Sequence, residues 1–238
     1  MIRTIGVIGM GEFGRLIVRF MPKDVEVLAS SRRDIKIKGA KMVSLDTIAK
    51  ADVIVLATPF DSIEGLLKKL KPIISKETLL VDVTSVKTKV EKVFAKVLPE
   101  HKNVLLTHPL FGPQSTKDGL FGQTFVVTKQ AGDRANEVMK WVKAQGMIIE
   151  KMTGDEHDIV MAEVHALTFF IGRGLSDIGI KDQPLKTPSF ESVLRLIFLD
   201  KSHSQDLFET IEKQNPYAKQ KRRQFLDALT NIHNNLEN

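Results

Sequence analysis

Cysteine is absent from the 238 residues, and tryptophan and tyrosine occur once each. Without cysteine there is no disulfide framework, no thiolate metal site and no thiol nucleophile. Such usage suits a reducing, cytoplasmic setting, and it leaves redox chemistry to a borrowed cofactor. Long hydrophobic runs are also missing. Val53-Ile54-Val55-Leu56-Ala57 is typical and far short of the roughly 20 residues that span a bilayer, so no membrane partner is expected. Met1 leads straight into strand-like sequence, and no targeting segment is expected either. Neither charge sign dominates. Lys+Arg 35 against Asp+Glu 29 leaves +6, spread along the chain, which gives no sign of a nucleic-acid partner. Lys219-Gln220-Lys221-Arg222-Arg223 reads as a charged helix face. With 42% hydrophobic residues the chain can bury a real core, which excludes disordered and fibrous classes and leaves room for one α/β domain plus a smaller partner.

What is present begins at Thr4-Ile5-Gly6-Val7-Ile8, a buried-strand pattern that runs into Gly9-Met10-Gly11-Glu12-Phe13-Gly14 and then an apolar helix from Leu16 to Met21. The G-x-G-x-x-G spacing in this strand–turn–helix context predicts a dinucleotide site. Gly9 allows the tight turn, Gly11 lets the backbone approach a pyrophosphate, and Gly14 lets helix and strand pack closely. Glu12 and Phe13 belong to the same cofactor turn. A second strand, Val25–Ala29, ends in Ser30-Ser31-Arg32-Arg33 where an NAD site usually places an acid. A hydroxyl followed by guanidinium groups suits a 2′-phosphate, so Ser31, Arg32 and Arg33 favour NADP, with NAD remaining possible. The other reading makes both arginines solvated loop residues and gives the ribose contact to Asp34.

Strands and helices then alternate: strand Val53–Ala57, helix Ile63–Leu70, strand Leu79–Val83, helix Lys87–Leu98, strand Val104–Thr107, and finally strand Thr124–Thr128, helix Ala131–Ala144 and strand Met147–Lys151. This pattern predicts a doubly wound parallel sheet with ligands beyond the strand carboxyl ends. Those ends carry Thr58-Pro59, expected to touch cofactor, then Thr84-Ser85-Val86-Lys87 and Thr107-His108-Pro109. The sequence predicts a boundary near Thr153-Gly154, giving domains 1–153 and 154–238. The second is all-helical, over Asp158–Ile178, Phe190–Asp200, Gln205–Lys213 and Ala218–Leu236. Its apolar stripe of Leu167, Phe170, Ile171 and Leu175 exceeds what so few helices can hide, so a homodimer is expected.

His108 is the one histidine of six expected directly after a sheet strand, and it is the candidate general base; its alternative is to hold the loop at Pro109. Ser85 either hydrogen-bonds the imidazole or a reacting hydroxyl, or caps the helix that begins near Lys87. His157, His165 and Phe169 share a helical stripe, and His165 is either a substrate contact or a satisfied interface histidine. No metal is expected.

The strings IGVIGMGEFG, ASSRRD, LLVDVTSVK, LTHPLFGPQS, DEHD, TPSFESVLRLI and QNPYA together resemble the prephenate/arogenate dehydrogenase family of tyrosine biosynthesis, particularly the plant arogenate dehydrogenases, from Ile5 to about Ala218. The resemblance implies a Rossmann-type domain followed by a helical dimerisation domain, with the active site in the cleft between them. It implies an NADP-dependent oxidative decarboxylation of arogenate or prephenate, a small cyclohexadienyl acid. His108 matches the family's catalytic histidine, Ser85 the serine that supports it, and Arg195 the arginine that binds a substrate carboxylate. Gln114 and Ser115, in the LTHPLFGPQS string, are carried over as substrate contacts. One departure is Phe169, where many relatives have histidine, with His165 one turn earlier. Two other readings compete: an NADP-linked reductase of imines or of another cofactor, and a non-catalytic NADP-binding sensor.

Overall fold

The computed structural model describes residues 1–33 and 35–237. The chain divides into two compact units, Met1–Gly154 and Asp155–Asn238.

The first unit is built on one sheet. Among the described residues its strands are β1 (Thr4–Ile8), β2 (Glu26–Ser30), β3 (Lys41–Met42), β4 (Val53–Leu56), β5 (Leu79–Asp82), β6 (Val104–Pro109), β7 (Thr124–Ala131) and β8 (Ile148–Lys151), in the spatial order β3-β2-β1-β4-β5-β6-β7-β8. The strands β4 and β5 are buried along their whole length, as expected of apolar runs covered on both faces. Alternate side chains separate two cores. Ile5, Val7, Val53 and Val55 join Val18 of α1 (Glu12–Phe20), with Met139 and Val142 from a later helix. Ile54 and Leu56 join Ile48 of α2 (Leu45–Ile48), Ile63 and Leu67 of α3 (Ile63–Leu70), and Val90 and Phe94 of α4 (Thr88–Val97).

The expected doubly wound parallel sheet is present, and it departs from parallel pairing at one seam, where β6 and β7 pair antiparallel. Parallel neighbours need a crossover, usually a helix. Residues 110–123, with Gly112, Pro113, Gly119 and Gly122, form none, so the chain doubles back. The parallel pattern resumes through α5 (Asp133–Ala144) between β7 and β8. The seam has a local consequence. Parallel pairing of β5 with β6 ends at Asp82 opposite Leu106, a register shift follows Leu106, and β7 then holds Thr107, His108 and Pro109 opposite Val127, Val126 and Phe125. His108 therefore lies inside β6 and not after it. A bulge of this kind bends a strand and re-aims its side chains, and such bulges cluster near active sites.

The second unit contains α6 (Gly154–Met161, whose first residue closes the first unit), α7 (Thr168–Asp177), α8 (Pro188–Lys201), α9 (Gln205–Glu209) and α10 (Ala218–Leu236). The expected helix over Asp158–Ile178 is a continuous helical run, but Ala162–Leu167 is wound as a π-helix, and Thr210–Gln214 after α9 is another. Such turns are uncommon and occur often at functional sites. The unit's own core is small: Ala166, Phe169, Ile211 and Ala218, backed by Leu199, Leu207 and Phe208. Val164, Phe198, Leu229 and Ile232 are exposed. The helical run Gly154–Asp177 is long and apolar enough, by length and composition, to cross a membrane. Uninterrupted apolar runs did not reveal this, because Asp155, Glu156, His157, Asp158, Glu163 and Arg173 are interspersed along it.

Candidate active site

The strand order reverses between β1 and β4, which is where an open α/β sheet leaves a crevice at its carboxyl edge. The glycine turn sits there. Gly9 adopts φ +100, and a Cβ on it would lie 2.3 Å from the Ala57 carbonyl oxygen. A Cβ on Gly14 would lie 1.9 Å from the Gly9 carbonyl oxygen. Gly11 is different: it has φ −71, ordinary for any residue, and nothing lies within 4 Å of where its Cβ would be. Gly9 and Gly14 thus shape the turn, and Gly11 leaves room above it. No side chain caps α1, so its first-turn N–H groups are available to an anion, a role the helix dipole favours. The buried Thr58 hydroxyl, at the end of β4, has no hydrogen-bond partner among the described residues. An open cradle, an uncapped helix start and an orphaned hydroxyl together fit the pyrophosphate of a dinucleotide. Phe13 packs at 6.1 Å against Phe111, from the loop after β6, while Glu12 and Pro59 are exposed. After β2 the Ser31 hydroxyl accepts the Arg33 backbone N–H at 3.1 Å, and Arg32 and Arg33 are exposed. Asp34 lies outside the described residues.

At the same edge β5 and β6 carry the residues expected to do chemistry. His108 is buried, at 4% exposure. Ser85 is half-buried in the turn after β5, and its hydroxyl makes no hydrogen bond to a described residue. No side chain caps α4, so the capping alternative for Ser85 falls away. Sequence reasoning missed the two most buried charges of this edge, Asp82 and Lys87, both 0% exposed and paired with one another. The signal was a lysine closing an apolar strand–turn segment, DVTSVK. In the following loop Gln114 is exposed, whereas Ser115 is committed to the turn: its hydroxyl accepts the Gly112 N–H at 3.1 Å, and its carbonyl accepts the Gln123 amide at 2.8 Å.

The second unit holds the remaining candidates. Arg195 is exposed on α8 with Nη2 donating to the Ser192 hydroxyl at 2.8 Å. His165 lies on the first π-helical segment with its ring edge-on to Phe169 at 4.9 Å, and Phe169 is edge-on to His203 at 5.0 Å. Dry surroundings, and then the nearby His203 and His157, push the His165 pKa down to about 4. Its folded pKa is thus below the unfolded value near 6.5, so the unfolded chain takes up the proton first and stability falls as pH drops from about 6.5 to 4. The loss follows by linkage from that difference in proton affinity. The expected result is a thermal midpoint that falls across that window in the parent protein and falls less in His165→Gln, read by calorimetry at half-unit pH steps. His157 and Asp158 form a fully buried pair at 2.8 Å. The Asn215 amide donates to the Asp158 carbonyl at 2.8 Å, and the Tyr217 hydroxyl donates to Asp155. The DEHD and QNPYA strings therefore bind each other.

Residues 18–150 match the family model described as prephenate dehydrogenase, nucleotide-binding domain, and residues 174–238 match the TYRAAT1-like, C-terminal domain. The chain is 31% identical, over 96% of its length, to arogenate dehydrogenase 1, chloroplastic, of Arabidopsis thaliana. It is 29% identical, over 90%, to arogenate dehydrogenase 2, chloroplastic, of the same plant. It spans 38% and 64% of the lengths of these relatives. A crystal structure of prephenate dehydrogenase from A. aeolicus, in complex with hydroxyphenyl propionate and NAD+, shares the fold with a TM-score of 0.76 at 19% identity, covering 98% of this chain and 90% of that one. The glycine cradle, the buried histidine of THPLFGP and a family model matching more than half of the chain converge: the chain belongs to the prephenate/arogenate dehydrogenase family.

Proposed function

We propose that the protein catalyses the NADP-dependent oxidative decarboxylation of arogenate, prephenate or both. The observation that carries this reading is His108, buried at the carboxyl edge of the sheet that also presents the glycine cradle. A bound nicotinamide supplies the hydride acceptor. His108 takes the proton of the ring C4 hydroxyl as the C4–H bond gives up its hydride. The C1–carboxylate bond then breaks, carbon dioxide leaves, and its electron pair completes the aromatic ring. Ser85, with its hydroxyl uncommitted, hydrogen-bonds the C4 oxygen or the imidazole and keeps the two aligned. Arg195 offers a guanidinium fork to a substrate carboxylate. The exposed Val164, Phe198, Leu229 and Ile232 of the helical unit support a homodimer that covers them.

The test is reduced-nicotinamide formation with arogenate or prephenate and with NADP or NAD, in all four pairings. Turnover in one pairing supports the reading, and silence in all four with NADP still bound overturns it. The 2′-phosphate contact has its own check. Arg32→Ala is expected to raise the KM for NADP about tenfold or more and to leave that for NAD within about twofold. Equal losses for both would remove Arg32 from cofactor choice.

A further inference from the structure

Lysine is rarely wholly buried, because taking an ammonium from water costs several kcal/mol unless protein groups replace the solvent. Lys87 heads the fully buried side chains of the described residues by size. Its ammonium pairs with the Asp82 carboxylate and donates to the backbone carbonyl of Thr107. Asp82 also accepts the Thr84 N–H and the Thr84 hydroxyl, each at 3.1 Å, and the Thr107 hydroxyl donates to the Asp82 carbonyl at 2.7 Å. A buried ion pair contributes little net stability compared with apolar residues of the same volume. Stability alone is therefore a weak reason for this one, and its position supplies a better one.

Asp82 and Lys87 are the two ends of the segment that carries Ser85, so their pairing closes that segment into a ring. The same ammonium reaches the residue that precedes His108. It does so where the backbone ladder between β5 and β6 has stopped, since that pairing ends at Asp82 opposite Leu106. Beyond that point Lys87 and the Thr107 hydroxyl link the turn after β5 to β6. Ser85 lies in the turn after β5 and His108 in β6, and Lys87 spans the break between them.

We propose that Lys87 is a positioning residue that holds Ser85 and His108 in register and itself exchanges no proton with the substrate. The proposal rests on the roles given above to those two residues. Alignment errors of about 1 Å in a catalytic pair cost on the order of a hundredfold in rate. Lys87→Met alone leaves the Asp82 carboxylate buried and unpaired, and misfolding would obscure the result. The informative protein is therefore the full chain carrying D82N/K87M, in which both charges are gone. It is expected to melt close to the parent, to keep its KM for NADP and for the cyclohexadienyl acid within about threefold, and to lose about a hundredfold in kcat. Lys87→Arg, which keeps the charge and the donors, is expected to retain more turnover than the double variant. A second readout does not depend on turnover. In protein labelled with 15N-histidine, the His108 ring signals should move in D82N/K87M and stay in place in Lys96→Met, which breaks only an exposed pair with Glu64. A folded D82N/K87M with kcat within about threefold of the parent, or with His108 ring signals unmoved, overturns the proposal. If the parent turns over none of the four pairings, the catalytic reading fails by itself, and the ring signals still decide whether Lys87 positions His108.

Discussion

Replacing His108 by asparagine is expected to lower kcat by about a thousandfold while NADP binds as before, because a positioned general base contributes roughly 10²–10⁴ in rate. Asparagine is the informative choice. It is close in size, it is polar enough to sit in a site where the histidine is only 4% exposed, and its amide cannot accept a proton at neutral pH. The fold should survive, since β6 around position 108 is held by backbone pairing to Val126 and Phe125 and not by the imidazole alone. Steady-state kinetics and a cofactor titration on the same preparation separate the possibilities. A thousandfold loss in kcat at constant cofactor affinity assigns the proton to His108. A kcat within tenfold of the parent removes it from that role, and loss of NADP binding as well would mean that the substitution had disturbed the cradle.

Local signals carried most of the first unit. The strand runs and the G-x-G-x-x-G turn are written in contiguous residues, and the helices between them have apolar faces of the right period, so sequence and structure agree over β1, β4 and β5. What escaped the sequence depends on residues far apart. The reversal at β6–β7 follows from the lack of a helix in residues 110–123, and its effect, extending β6 to include His108, comes from pairing with a strand that starts at Thr124. The Asp82–Lys87 pair reads as one apolar-strand residue and one helix-start lysine until the segment closes on itself. Both π-helical segments have the same apolar spacing as the helices around them, so periodicity could not separate them. In the second unit His165 was legible as a candidate from its helical stripe, whereas the role of Arg195 came from resemblance and not from pattern, since an exposed arginine on α8 bonded to Ser192 has no chemical mark of its own.

The three glycines of the turn are expected to separate into two kinds of defect, although the motif writes them identically. Gly14→Ala would put a methyl 1.9 Å from a backbone oxygen, so α1 has to move away from the Gly9 turn. Overpacking of this severity costs about 1–3 kcal/mol, which lowers the thermal midpoint of a chain this size by roughly 2–12 °C. Cofactor binding should weaken with it, because the N–H groups at the start of α1 move too. Gly11→Ala meets no atom within 4 Å and keeps an ordinary φ of −71, so its melting temperature should stay within about 1 °C of the parent. The new methyl occupies the space left for the pyrophosphate, and the Kd for NADP should rise about tenfold or more. A calorimetric scan and a fluorescence titration of each variant make the comparison. Destabilisation of Gly11→Ala would mean that its open space is closed in solution. Unchanged NADP affinity in a stable Gly11→Ala would mean that the dinucleotide does not lie over this turn, and the cradle would lose the function assigned to it.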